Sequence, residues 1–528
     1  MALLAGSWRE PDTGRPVAKV EGSTQLSAFL DYAAEAILKM EVSRPIQPTD
    51  YDTCWVARLI NPDGTLAYPD LLRRLLERQH PDGSWGGAIP YAHDRILSTL
   101  AIVLLLVRFG NRKRDQAQRS AGERYIWQHA RNLQHEPHQT VGFEMILPTL
   151  LGEARELGVN LPYAQLRHYE SERTKKLRIL PTRRLFEVRT SALFSLEAFA
   201  GELDVEGATK LLSNDGSMAT SPSATAFLLS QVPDWRSRYP KSVAYLEELL
   251  ARCDAGPPPI APSDVFVRAW PMYYLYHGNL LAGRTALVRS NCEYLLEHWR
   301  PQGIGWSSNG LPESDDTAMT LLALGRAGYD TDGSCLLAYE RERHFAVLEH
   351  ERDPSVSVNL HVLEALDAIP APDRPRVRDK ILRYVLGARH HGAFWIDKWH
   401  VSPYYPTTRA LMILPSHSPE GMDETVNWLL ATQHEGGAWG YYEPTAEETA
   451  LTLLALLKYH REVRALPHEP LHRAARYLVA KGGPFQEHYP ELWFSKALYA
   501  PTVVVRSTIV SALGLYSDTF GDSEATWS

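Results

Sequence analysis

The sequence predicts an all-α protein made of two α-helical (α/α) barrel domains, and three observations predict it. Apolar residues recur at helical spacing, prolines and glycines gather between those runs, and one Gln–Gly–Trp turn returns in both halves. Leu71, Leu72, Leu75 and Leu76 before Gln79 share a helical face, as do Ala318, Leu321, Leu322 and Leu324 after Asp316. Ala450, Leu451, Leu454 and Leu457 after Glu448 repeat the pattern. No long stretch alternates with the period of two that a half-buried strand needs. The 36 prolines and 34 glycines stop helices and open loops, as in Ala255 to Ser263 (AGPPPIAPS) and Pro370 to Pro375.

The recurring turn reads QHPDGSWG at Gln79 to Gly86 and QHEGGAWG at Gln433 to Gly440, with a shortened QGIGW at Gln302 to Trp306. In each, Gln follows a helix, glycine turns the chain and Trp starts the next segment, so the unit reads as a clasp between consecutive helices. Its value is architectural, since a Gly turn with a core Trp needs no chemistry to explain it.

Length and charge bound the rest. At 528 residues the chain exceeds one compact core. Its 55 lysines and arginines against 63 acids leave a net charge of −8, which argues against a broad nucleic-acid surface. Cys54, Cys253, Cys292 and Cys335 lie far apart with no CxxC pair, which fits a reducing, cytoplasmic setting and gives no zinc cluster. The opening MALLAGSWREPDTG has no basic leader and no sustained apolar core, so no secretory signal is expected there. The run Leu100 to Val107 (LAIVLLLV) is too short for the roughly 20 residues a bilayer demands, and reads as a buried helix.

AGPPPIAPS is the best internal boundary. It divides the chain into residues 1–45, one amphipathic helix built on Leu26, Phe29, Leu30, Ala33, Ala34, Ile37 and Leu38; residues 46–262, a first barrel; and residues 263–528, a second.

The sharpest chemical signal is Leu311 to Met319, LPESDDTAM, which sets Glu313, Asp315 and Asp316 at a loop-to-helix junction. Acids there are ordinary helix caps. Three together allow more: crowded carboxylates cannot all ionise, so one is held protonated and becomes a general acid.

These residues sit among a series of ordered motifs: YDTCWVA from Tyr51, PDGSWG from Pro81, DRILSTLA from Asp94, VGFE from Val141, SPSATA from Ser221, DKWH from Asp397, TAEETA from Thr445 and LWFSKAL from Leu492. Together they resemble the class II, protonation-initiated terpene cyclases across nearly the whole chain, with Glu313-Ser314-Asp315-Asp316 in place of the DxDD motif. The likeness is strongest to the actinobacterial tuberculosinyl (halimadienyl) and copalyl diphosphate synthases. It implies two barrels named β and γ, with γ being 46–262 and β being 263–528, on which the 1–45 helix packs.

The resemblance also implies roles. Asp315, the middle acid, protonates an alkene, with Asp316 and Glu313 orienting it; Glu313 departs from the usual Asp by one methylene. Asn359 or His361, in VSVNLHVL, anchors the acid, and because two residues apart on a helix face different ways, only one of them can. Glu144 in VGFE holds Mg²⁺, while Lys176, Arg95 and Lys496 meet the phosphate oxygens. Trp306, Trp395, Trp399, Tyr404 and Tyr405 are candidates to line the carbocation path, where aromatic faces stabilise a cation by about 0.5–2 kcal/mol each. The only Asp-Asp pair continues Thr-Ala-Met, so no DDxxD cluster exists to ionise an allylic diphosphate. The expected reaction is cyclisation of geranylgeranyl diphosphate to a bicyclic labdane- or halimane-type diphosphate. Farnesyl diphosphate giving a drimane type is the alternative within the class. A helical-barrel glycoside hydrolase with paired carboxylates, a helical-repeat binding protein and a squalene-type cyclase are the rivals outside it. The expected partner is a small prenyl diphosphate, with no nucleic acid and no transmembrane segment; a homodimer stays open.

Overall fold

The computed structural model describes residues 25–42, 44–110, 112–180, 182–253, 255–348, 351, 353–418, 421–480 and 488–521. The opening stretch read above for a leader lies outside them. The chain forms two units, one of Met1–Pro45, Ser263–Tyr489 and Pro501–Ser528, the other of Ile46–Pro262 and Pro490–Ala500.

In the first unit six helices close a ring by packing each on the next: Phe266–His277, Ser314–Arg326, Val356–Ala368, Tyr404–Ile413, Ala446–Glu462 and Thr502–Phe520, the last returning to the first. These helices are apolar nearly all round because both faces are covered, as Ala446–Leu457 shows with every residue buried. Outer helices are amphipathic: Arg374–Gly387 buries Val377, Ile381 and Val385 at four-residue spacing. The helix Gln25–Leu38 packs in this unit against Thr502–Phe520 and Phe266–His277.

The second unit repeats the plan with five inner segments, Asp50–Ala57, Ala92–Phe109, Phe143–Glu156, the 3₁₀ segment Ser191–Phe199 and Pro222–Ser230. The apolar run 100–107 falls in the buried Ala92–Phe109, and among the described residues no helix is long and apolar enough to cross a membrane.

One boundary corrects the sequence reading. Pro490–Ala500 belongs to the second unit and not to a continuous 263–528 domain. The reason is a buried charge: this segment makes a two-stranded hairpin, Trp493–Phe494 with Leu498–Tyr499, whose tip carries Lys496 into that unit's core.

The clasp is more general than its sequence pattern. Trp85, Trp395 and Trp439 each donate the indole Nε1–H to the carbonyl ten residues earlier, at 2.6–2.7 Å, and the backbone N–H to a threonine on the next inner helix, at 2.9 Å. Met218 on Thr225 and Ile304 on Thr317 make the same backbone bond at 2.8 and 3.0 Å. In QGIGW it is therefore Ile304, and not Trp306, that takes the clasp position. Phe345 completes the series by donating its N–H to Asn359 Oδ1 at 2.8 Å.

Candidate active site

Glu313 is the cap of the helix Ser314–Arg326. Its extended backbone (φ −150°, ψ 164°) turns the carboxylate over the first turn, where it accepts N–H bonds from Asp315 at 2.6 Å and Asp316 at 2.5 Å. Ser314 ties the same turn to the loop that leads into the inner helix Val356–Ala368, Oγ to the Ala346 carbonyl at 2.8 Å and N–H to that of Val347 at 3.1 Å. The junction that presents Asp315 is thus held on both sides, and Glu313 acts on it through the backbone.

Asp315 Oδ1 lies 2.6 Å from Nδ1 of His361, a fully buried residue on the inner helix Val356–Ala368. That helix is itself pinned. Ser355 caps it, and Asp397 of DKWH accepts from Ser355 Oγ (2.8 Å), Val356 N (2.7 Å) and Ser357 Oγ (2.9 Å). Of the two expected anchors, then, His361 meets the acid. Asn359 does not, because its amide is consumed by the clasp: Oδ1 takes the Phe345 N–H, and Nδ2 serves the Phe345 and Ser355 carbonyls at 3.0 and 2.7 Å.

Burial perturbs the neighbouring acids. It pushes the Asp316 carboxyl up to about 7, with the Asp315 charge adding to it against a hydrogen bond from Glu313. Glu313 is raised well above the usual range, first by burial and then by Asp316. The pair retains a proton where exposed carboxyls would have lost theirs.

Aromatic groups gather behind the acid. The Trp270 ring stands at 90° to His361 with centroids 5.9 Å apart. The Tyr405 phenol is raised by burial, with the Asp315 charge contributing, and its ring stacks on His400 at 4.9 Å. Arg409 is fully buried over the rings of Tyr273 (4.1 Å) and Tyr274 (4.8 Å) and donates to the Tyr274 hydroxyl at 3.2 Å. Glu364, ion-paired to Arg326, also feels this charge: burial notwithstanding, Arg326, His277 and Arg409 hold that carboxyl well below the usual range. The sequence reading missed Trp270, Arg409 and Glu364. A lone arginine inside YYPTTRALMIL and the crowded aromatics of FVRAWPMYYLYH were the signals available.

The other expected wall residues separate. Trp395 is a clasp tryptophan, and Tyr404 packs on Trp428 of the outer helix Asp423–Ala431, with centroids 5.0 Å apart. Trp306 and Trp399 are half-buried, the latter with Lys398 Nζ 5.2 Å from its ring centroid.

In the other unit, Glu144 stands in the first turn of Phe143–Glu156 and forms a direct ion pair with Lys176, near the end of Tyr163–Ile179. Gly142 of VGFE begins that helix in the left-handed region (φ 73°), and a Cβ there would come within 2.7 Å of Ser195 Oγ. The two remaining expected phosphate ligands are occupied elsewhere. Arg95 is buried and spends its guanidinium on Ser84 Oγ (2.6 Å) and the Ala88 carbonyl (2.9 Å), which locks the PDGSWG turn. Lys496 is wholly buried: Nζ lies within 2.5–2.8 Å of oxygens of Glu197, Ser221, Ser223 and the Phe194 carbonyl, which share its three N–H donors. Tyr51 joins at Glu197 and Asp52 at Ser223, so YDTCWVA, SPSATA and LWFSKAL meet in one core network. Among the described residues no group of three or more His, Cys, Asp or Glu side chains could hold a metal. Glu144 stands as a single carboxylate, and Mg²⁺ arriving with a diphosphate commonly takes one or two protein carboxylates and completes its shell with phosphate and water oxygens.

No family model matches the sequence. The type B diterpene cyclase of Mycobacterium tuberculosis is 33% identical over 504 residues, 91% of this chain and 98% of that protein. The chain belongs to the class II terpene cyclases. Ent-copalyl diphosphate synthase 1 of rice (Oryza sativa subsp. japonica) is 30% identical over 73% of this cyclase and 44% of its own length. The solved ent-copalyl diphosphate synthase of Streptomyces platensis superposes with a TM-score of 0.75 at 26% identity, covering 92% of this chain and 99% of that one. That of Arabidopsis thaliana gives 0.71 at 23% identity, over 93% and 63%, and speaks to the fold. The enzyme is a class II diterpene cyclase, and its two helical units are the α/α barrels of that family.

Proposed function

We propose that this cyclase takes geranylgeranyl diphosphate and returns a bicyclic labdane- or halimane-type diphosphate. The single observation that carries the reading is the 2.6 Å contact between Asp315 and His361 at the start of a buried inner helix, beside Trp270. With His361 Nδ1–H donating to Oδ1, Oδ2 is the oxygen from which a proton would pass to the terminal alkene. The carboxylate left after transfer keeps the His361 bond and gains from the helix N-terminus. Two ring closures and loss of a proton from carbon then complete an isomerisation, in which the proton count of the substrate is unchanged. Positioned proton transfer of this kind contributes about 10²- to 10⁴-fold.

The diphosphate stays on the product. Support comes from the sequence, whose one Asp-Asp pair is the acid motif itself. On this reading Glu144 holds Mg²⁺, and Lys176, already at its side, turns to the phosphate oxygens. When bound, Mg²⁺ supplies charge neutralisation to the diphosphate. Incubation with geranylgeranyl and farnesyl diphosphates, followed by dephosphorylation and mass spectrometry, tests the reading. Bicyclic C20 alcohols support it; turnover of farnesyl diphosphate alone, to a drimane-type alcohol, overturns the substrate.

A further inference from the structure

The helix Tyr163–Ile179 carries a surface that the cyclisation does not use. Between Arg167 and Arg189 the chain holds eight lysines and arginines against three glutamates, inside a protein of net charge −8. Two are neutralised, Lys176 by Glu144 and Arg173 by Glu202, while Glu170 is taken by Arg155. Arg167, Lys175 and Arg178 are exposed and make no ion pair or hydrogen bond among the described residues. With Ser171, Thr174 and Glu170 they line a shallow hollow of about 370 Å³, so the three cations share one face.

Apolar exposure accompanies the charge. Ile179, one turn beyond Lys175, is 69% exposed and Val188 55%, among the most exposed large hydrophobics of the described residues. Cations at a helix C-terminus ordinarily offset the helix dipole. That accounts for Arg178 but not for Arg167, in the first half of the helix, nor for an exposed isoleucine beside the cations. Clustered basic side chains with an adjacent exposed aliphatic are what an anionic lipid surface attracts, the charges acting through the surface potential and the aliphatic entering the headgroup boundary.

We propose that the exposed face of Tyr163–Ile179, with Arg167, Lys175, Arg178 and Ile179 in contact, docks the enzyme on an anionic bilayer. The attachment is peripheral and does not depend on which prenyl diphosphate is turned over.

Co-sedimentation of the full-length protein with phosphatidylcholine vesicles, with and without about one third phosphatidylglycerol, tests this. Binding to the anionic vesicles only, weakening as salt rises, is the expected result. Each neutralised cation should weaken it about fivefold, so Arg167→Gln/Lys175→Gln/Arg178→Gln should weaken it on the order of 100-fold with unchanged helix content. Ile179→Ser should weaken it further at constant charge. A control triple of exposed cations elsewhere, Arg73→Gln/Arg252→Gln/Arg461→Gln, should bind as the parent does. Absence of binding, equal binding to uncharged vesicles, or equal loss in the control triple would overturn the proposal. So would protection of Lys175 from acylation by inorganic pyrophosphate without vesicle binding, which would mark a site for free anions.

Discussion

His361 Nδ1 lies 2.6 Å from Asp315 Oδ1, whereas Asn359, one half-turn earlier on the same helix, is committed to the backbone of Phe345. One helix therefore presents two polar side chains with separate duties, one toward the acid and one toward the clasp that holds the barrel.

That separation predicts opposite outcomes for neighbouring substitutions. Asp315→Asn should fold normally and lose at least about 100-fold in kcat, since the amide has no acidic proton to give. His361→Ala should lose about 10- to 100-fold, the range of a charge-assisted hydrogen bond worth about 1.5–3 kcal/mol. Asn359→Thr should keep kcat within about threefold, because threonine fills this position in five other clasps. Steady-state kinetics on the three folded variants, with circular dichroism as the control, checks the assignment.

A second expectation concerns pH. Asp316 is raised to about 7 in the folded chain from a usual carboxylate value near 4. Between those values the folded state binds more protons than the unfolded one, so this group's contribution to stability falls as pH rises from about 4 to about 7 and is then constant. Asp316→Asn removes that contribution. The difference in Tm, variant minus parent, should grow across this interval and level off above it; a difference flat with pH would contradict the buried, protonated state.

Lys496 offers a test of structure against substrate binding. Lys496→Met leaves Glu197 buried without its cation and should cost about 3–5 kcal/mol of stability, read by denaturant unfolding. Adding Glu197→Gln should restore much of it. A Lys496→Met protein of unaltered stability but raised substrate KM would return this lysine to the phosphate site.

Lys176 and Glu144 should behave in the reverse way. Both are partly exposed, so Lys176→Ala and Glu144→Ala should leave Tm within a few degrees and raise substrate KM about tenfold or more. Glu144→Ala should also raise the Mg²⁺ concentration needed for half-maximal rate. The product skeleton, read by mass spectrometry after dephosphorylation, should not change.

The barrels were legible in the sequence because inner helices are apolar all round and outer ones on one face, and the turns between them repeat. The acid cluster stood out because three carboxylates fall within four residues and the motifs around them run in the order of the class II cyclases. Position along the chain could not separate Asn359 from His361, since the clasp that engages Asn359 closes on Phe345, a residue carrying none of the Gln–Gly–Trp pattern. Lys496 read as a phosphate ligand because the partners that hold it in the core, Glu197, Ser221 and Ser223, lie some 270 to 300 positions away. The same long-range bond explains why Pro490–Ala500 joins the other unit.

The central claim is that cyclisation begins with a proton from Asp315 and leaves the carbon–oxygen bond to the diphosphate intact. Inorganic pyrophosphate, quantified during turnover of geranylgeranyl diphosphate, tests it most directly. The account predicts cyclised product that still carries its diphosphate, with no pyrophosphate above the no-enzyme control. Pyrophosphate released in step with cyclisation would contradict it.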